Sequence, residues 1–179
     1  MELKFRDLKA GEIECRVSTC NNNGVSLLLY KDARCDMNIL DETVGPTNWS
    51  RSHELINGNL FCNVSIYDKD IGMWVIKQDV GTESYTEKEK GQASDAFKRA
   101  CFNWGIGREL YTSPFIWISS KKGYVTLESK NGRTTTRDKF TVEDVIIDEK
   151  VIVALSIVNA DMNKRVFTYD IRPKGNGKG

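Results

Sequence analysis

One segment limits what this chain can fold into more than any other: residues 89–112, EKGQASDAFKRACFNWGIGRELYT. Ala93, Ala96, Phe97, Ala100, Cys101 and Trp104 recur at three- and four-residue steps, so a helix gathers them into one apolar stripe. A stripe of that kind packs a helix on a sheet and leaves its other side for something else. Thr86 with Glu89, or Ser84 with Glu87, fits a capping box at the start. Gly105 or Gly107 can take the left-handed conformation that ends a helix, and Arg108 just beyond suits the negative end of the helix dipole. Gly91, Asp95, Lys98, Arg99 and Phe102 fall opposite the stripe. Two readings of that face stay open. It is a solvated surface with one exposed aromatic, or its cations hold phosphates while Phe102 stacks on a ligand or plugs a neighbouring subunit.

The segments around the helix alternate short strands with turn signals. EIECRVSTC and GVSLLLY, split by Asn21-Asn22-Asn23-Gly24, predict a hairpin with Gly24 supplying the turn. A short helix follows, with Asp32 as N-cap, Met37, Leu40 and Val44 on one face, and Gly45-Pro46 as a stop. NWSRSHELI, NLFCNVSIYD and MWVIKQDVG are joined by Asn57-Gly58-Asn59 and by residues 68–72, and predict an antiparallel meander. Past the long helix, Asn131-Gly132 marks a polar hairpin, and TVEDVIID, VIVALSIVNA and RVFTYDIR predict further short strands. The expected class is α+β: a short N-terminal hairpin and helix, an antiparallel meander packed by one long helix, and a small C-terminal β extension. We expect one domain over residues 1–172, with 173–179 as a flexible Gly/Lys tail.

Composition removes several function classes. The formal net charge is only +1, so any polyanion site has to come from local segregation of charge. Cys15, Cys20, Cys35, Cys62 and Cys101 form no CxxC pair, and His53 is the one histidine, which argues against a zinc site and for reduced thiols in the cytoplasm. The N-terminus carries charges of both signs without a signal-peptide apolar core, and no apolar run reaches the roughly 18 residues of a membrane span. No GxxxxGK[ST] loop occurs, so an ATPase of the P-loop kind is not supported and no cofactor or metal is expected. Glu128-Ser-Lys130 has the Glu-x-Lys form of metal-dependent nucleases, but Glu2-Leu-Lys4 has it too, so the pattern arises easily by chance. The segment from Lys121 to Arg137 is basic, with Lys121, Lys122, Lys130, Arg133 and Arg137 against Glu128; it is either a solvated hairpin or an outer DNA contact.

The stretch QDVGTESYTEKEKGQASDAFKRACFNWGIGRELY resembles the Rad52/Rad22 family of single-strand annealing proteins, including its bacteriophage members. The resemblance rests on Asp79-Val80-Gly81, the Ser-Asp-Ala-x-Lys-Arg-Ala run from Ser94 to Ala100, and the Gly-x-Gly and Leu-Tyr that follow. Upstream, LLLYKDARCDMNILDETVGPTNWSRS keeps Arg34, Gly45 and Trp49 in the family's order. The resemblance implies a β-β-β-α core, assembly into a homo-oligomeric ring, and single-stranded DNA held by its backbone for annealing without ATP. It implies that Lys98 and Arg99 bind phosphate, that Arg34 lies at a basic position of the first helix, and that Arg16 matches one on the preceding hairpin. Arg51 and Lys77 on the meander, with Arg108, complete the expected DNA-binding set. Phe102 stands where some relatives carry a third basic residue. A host single-strand-binding protein is the expected protein partner, and the host cytoplasm is the expected location of a phage-encoded chain. The alternatives are a single-strand protector that does not anneal, and the nuclease.

Overall fold

A computed structural model describes residues 3–82 and 88–173, without the side chains of 88–90. In chain order the regular elements are β1 (Glu14–Asn21), β2 (Gly24–Tyr30), α1 (Ala33–Val44), β3 (Trp49–Ile56), β4 (Asn59–Asp68), β5 (Met73–Val80) and α2 (Lys88–Trp104). They are followed by β6 (Ile116–Ser119), β7 (Glu128–Lys130), β8 (Arg133–Thr135), β9 (Phe140–Asp148), β10 (Val151–Asn159) and β11 (Lys164–Asp170). The fold is α+β, with antiparallel sheets and two α-helices. Its residues divide into two compact units, one made of 1–7 and 32–108, the other of 8–31 and 109–179.

The first unit holds the meander β3-β4-β5 and both helices. Asn57 and Gly58 both take positive φ (51° and 78°), the turn that matches the twist of two paired strands. In β4, Cys62, Val64 and Ile66 alternate toward one side and are buried, and their neighbours in register are Trp49, Arg51 and His53 of β3. Ala96, Phe97, Ala100 and Cys101 of α2 are fully buried, and Trp104 Nε1 donates to the Val64 carbonyl at 3.0 Å. The stripe is therefore the buried side of the helix. Gly81 explains why β5 can end against it: a Cβ there would lie 2.2 Å from the Gln92 carbonyl oxygen and 2.7 Å from the Ala96 nitrogen. Asp32 caps α1 by accepting the Arg34 N–H at 2.7 Å, and Gly45 closes it at φ 86°. The buried side of α1 is Cys35, Asp36, Ile39 and Leu40, rotated from the expected Met37-Leu40-Val44 line. The capping box expected for α2 falls on residues 83–87 and the side chain of Glu89, outside the described residues, as does 174–179.

The second unit joins pieces that the sequence leaves apart. The hairpin β1–β2 and the strands β6, β9, β10 and β11 form one six-stranded sheet in the order β11-β10-β9-β1-β2-β6. The expected small C-terminal extension is thus most of a sheet. Gly24 does not supply the turn; it opens β2, paired with Asn21, and a Cβ there would lie 2.1 Å from the Ile118 carbonyl oxygen of β6. Close approach of a neighbouring strand demands the glycine. The strands β7 and β8 pair around Asn131 and Gly132, both at positive φ. Glu109, fully buried, accepts the Leu8 N–H at 2.7 Å.

Candidate nucleic-acid interface

Adjacent residues on a helix point about 100° apart, and this separates Lys98 from Arg99. Arg99 turns to β5, where its Nε lies 3.3 Å from Asp79 Oδ1. Asn103, one turn on, donates to Asp79 Oδ2 at 3.3 Å and to the Gln78 carbonyl at 3.0 Å. Lys98 makes no ion pair among the described residues. Its charge acts instead on Asp32 at the start of α1, one of several causes that hold that carboxyl down at about 2; the largest is the Arg34 side chain, followed by the Arg34 N–H. Arg34 lies 2.9 Å from Asp32 through Nη2 and is 81% exposed. Lys98 and Arg34, from two helices, thus both act on Asp32.

The other basic residues of this unit in the expected DNA-binding set have structural attachments. Lys77 Nζ donates to the Asn103 carbonyl at 2.8 Å and lies 4.7 Å from the Trp104 ring centre. Arg108 donates to the Phe102 and Asn103 carbonyls at 2.9 and 3.1 Å. Both cations therefore satisfy carbonyls that the end of α2 leaves over. Phe102 is half-buried, not outward-facing, with the Arg108 guanidinium 5.5 Å from its ring centre. Arg51 sits 4.8 Å from the ring of Phe97, which Trp49 also covers at 6.1 Å, so it roofs part of the core while staying exposed. Arg16 belongs to the second unit, where it is exposed and stacks on Tyr30 at 4.5 Å.

Sequence reasoning missed the carboxylates that organise these cations. Asp79 lies at the end of a strand and Asp32 caps a helix, yet each also receives an arginine. Asp95, on the charged side of α2, accepts both the N–H and the hydroxyl of Thr82 and so ties the strand exit to the helix. Alternation along β5 was a usable signal, since Lys77 and Asp79 share the side that faces Val64 and Cys62 in register. Glu128 of the Glu-x-Lys pattern pairs with Arg137 at 3.0 Å.

The meander β3-β4-β5 and α2 both lie within the stretch that matches a known family. Residues 6–128 match the family described as Rad52/22 family double-strand break repair protein, and the chain belongs to that family. It is 37% identical over 93 residues to the single-stranded DNA-binding protein DdrA of Deinococcus radiodurans, a match covering 51% of this chain and 43% of that protein. It is 33% identical over 105 residues to the single-stranded DNA-binding protein DdrA of Deinococcus deserti, covering 58% of this chain and 51% of that protein. The chain spans about half the length of the curated relatives it matches. No solved structure matches it.

Proposed function

We propose that this protein binds single-stranded DNA through its sugar–phosphate backbone and anneals complementary strands without ATP, as an oligomeric ring acting in recombination and double-strand break repair. The observation that carries this reading is the Lys98–Arg34 corner, where cations from two helices both act on Asp32, Arg34 is 81% exposed, and Lys98 makes no ion pair among the described residues. A passing phosphate can be taken up by Lys98 there, and Arg99 offers a second contact once it turns from Asp79. Lys77 and Arg108 fix the end of α2 and lend charge to the same helix; Arg51 adds a cation of the same unit, and Arg16, in the second unit, is a separate contact. The β3-β4-β5-α2 arrangement serves as the annealing core. Backbone contacts alone explain how the bases stay free to pair, and annealing needs no nucleophile or metal. Copies of one modest patch, repeated around a ring, give a continuous basic track despite a net charge of +1 per chain.

The test is oligonucleotide binding by the Lys98→Ala/Arg99→Ala variant. Loss of two phosphate contacts lowers the slope of log K against log salt by about 1.4 on a single strand, and weakens binding at moderate salt at least tenfold. Unchanged binding overturns the site. A second reading, a protector that covers single strands without pairing them, is favoured by the relatives' name, which states binding and not annealing. Acceleration of complementary-strand pairing without ATP separates the two, and electron microscopy with and without oligonucleotide tests the ring.

A further inference from the structure

The second unit carries a cluster of cations that the site above does not use. Ser120 Oγ donates to the Asn22 carbonyl at 3.0 Å, and its N–H donates to the Asn23 carbonyl at 2.9 Å. Thr134 Oγ1 donates to the Asn22 side chain. The β1–β2 turn thereby clasps two basic segments at once. One is the 3-10 turn Ser120–Lys122, bearing Lys121 and Lys122; the other is the β7–β8 hairpin, bearing Lys130 and Arg133 beside its Asn131-Gly132 turn. From a third segment, the start of β11, Lys164 reaches the same place: its Nζ is 4.6 Å from the Tyr124 ring centre, and Lys122 Nζ is 5.9 Å from that same centre.

Two ammonium groups on one ring stand within about one Debye length, ~10 Å, and repel each other. The carboxylates of the neighbouring segments make no ion pair with either lysine among the described residues. Asp138 accepts from the Thr126 N–H and from Asn159 Nδ2, which also donates to the Tyr124 carbonyl; Asp161 accepts from the Lys139 N–H. Glu128 is engaged by Arg137. Among the described residues, Lys121, Lys122, Lys130, Arg133 and Lys164 make no ion pair, and all five are exposed. A fold that sets two of these cations over a half-buried tyrosine, and ties the segments bearing the other three to one turn, has left a place for an external polyanion.

We propose that this corner, Lys122–Tyr124–Lys164 with Lys121, Lys130 and Arg133, is a second binding surface for a sugar–phosphate backbone. This rests on the DNA-binding reading above. The cations are spread over three exposed segments, which suits a polymer carrying one charge per step better than a small anion. Tyr124 has both ammonium groups near its ring, so it positions the lysines and is not a platform for bases. Lys121, Lys122 and Tyr124 lie within the family match, while Lys130, Arg133 and Lys164 lie beyond residue 128, where it ends.

The experiment measures binding of a labelled oligothymidylate, and of a duplex of equal length, to the full chain and to Lys122→Ala/Lys164→Ala. The charge-preserving Lys122→Arg/Lys164→Arg serves as control. On whichever nucleic acid uses the corner, the alanine pair weakens binding about five- to tenfold at low salt, and the arginine pair restores it. On the single strand the salt slope falls by about 1.4. If the alanine pair binds both probes like the unaltered chain while Lys98→Ala/Arg99→Ala weakens, the corner is not a DNA surface and only this proposal falls. If the unaltered chain binds neither probe, the DNA reading falls and takes this one with it. If polyglutamate binds in a manner sensitive to the alanine pair while both nucleic acids do not, the corner is an acidic-protein dock and the proposal is overturned.

Discussion

Arg99 Nε stands 3.3 Å from Asp79 Oδ1, so one of the two adjacent cations on α2 is already countered by the strand beside it. The arginine side chain remains 44% exposed, and an ion pair of that kind contributes at most about 1 kcal/mol. A phosphate can displace it. Asp79 is held by the Val80 N–H at 2.8 Å and by Asn103, so the carboxylate stays while the guanidinium swings. We expect Asp79→Asn, which keeps one acceptor oxygen and removes the charge, to tighten oligonucleotide binding two- to fivefold, about 0.4–1 kcal/mol. Weaker binding at unchanged thermal stability would show that Asp79 orients Arg99 for the ligand instead of competing with it.

Asp32 gives a prediction in pH. Its carboxyl is lowered from 3.8 to about 2, first by the Arg34 side chain and then by the Arg34 N–H it caps. A depressed carboxyl contributes stability that is complete above its unfolded value and is lost as pH falls through its folded value. The window therefore runs from about pH 4 down to about pH 2. The side chain is 40% exposed, so solvent screening holds the contribution below about 1 kcal/mol. Melting temperatures of the protein and of Asp32→Asn should converge across that window, because the amide keeps the cap without the charge. At neutral pH the same variant removes the Asp32 charge that acts on Arg34 and Lys98 and should bind oligonucleotide more tightly. Parallel melting curves at every pH would exclude the linkage.

Gly81→Ala tests whether β5 has to end in contact with α2. The added methyl would meet backbone atoms of Gln92 and Ala96 at 2.2 and 2.7 Å, and a helix backbone cannot step aside as a side chain can. We expect a loss of about 2–3 kcal/mol, at the high end for overpacking, read from the urea midpoint. A change below about 0.5 kcal/mol would mean that the strand exit yields freely.

Much of the first unit was legible because its signals are local. Asn57-Gly58 fixes a two-residue turn, alternation in NLFCNVSIYD picks the buried side of β4, and Asp32 with Gly45 brackets α1. The six-stranded sheet was not legible. Glu14 pairs with Thr141 and Val25 with Ile118, partners separated by most of the chain, and nothing in a window of ten residues encodes such a pairing. The four-residue β6 is too short for any periodicity to announce it. At the site, a helical wheel assigned Lys98 and Arg99 to one face but could not say that α1 receives the first and β5 the second. Phe102 looked exposed on the wheel because Arg108, which covers it, lies beyond the end of the helix.

Glu109 offers the sharpest stability test, since its side chain is fully buried and each oxygen has a different role. Oε1 accepts the Leu8 N–H at 2.7 Å, while Oε2 faces Lys150 Nζ at 3.9 Å. Glu109→Ala removes the acceptor, leaves a backbone donor unsatisfied and empties the space of the side chain, at an expected cost of about 3 kcal/mol. Glu109→Gln keeps an oxygen for Leu8 and gives up only the longer contact to a lysine that is 31% exposed and can turn to water, so about 1 kcal/mol is expected. Chemical denaturation of both variants decides between the two contacts. A ranking of alanine well below glutamine assigns the stabilisation to the hydrogen bond that anchors the entry to β1. Equal losses would assign it to the charge, and with it to the β9–β10 turn that carries Lys150.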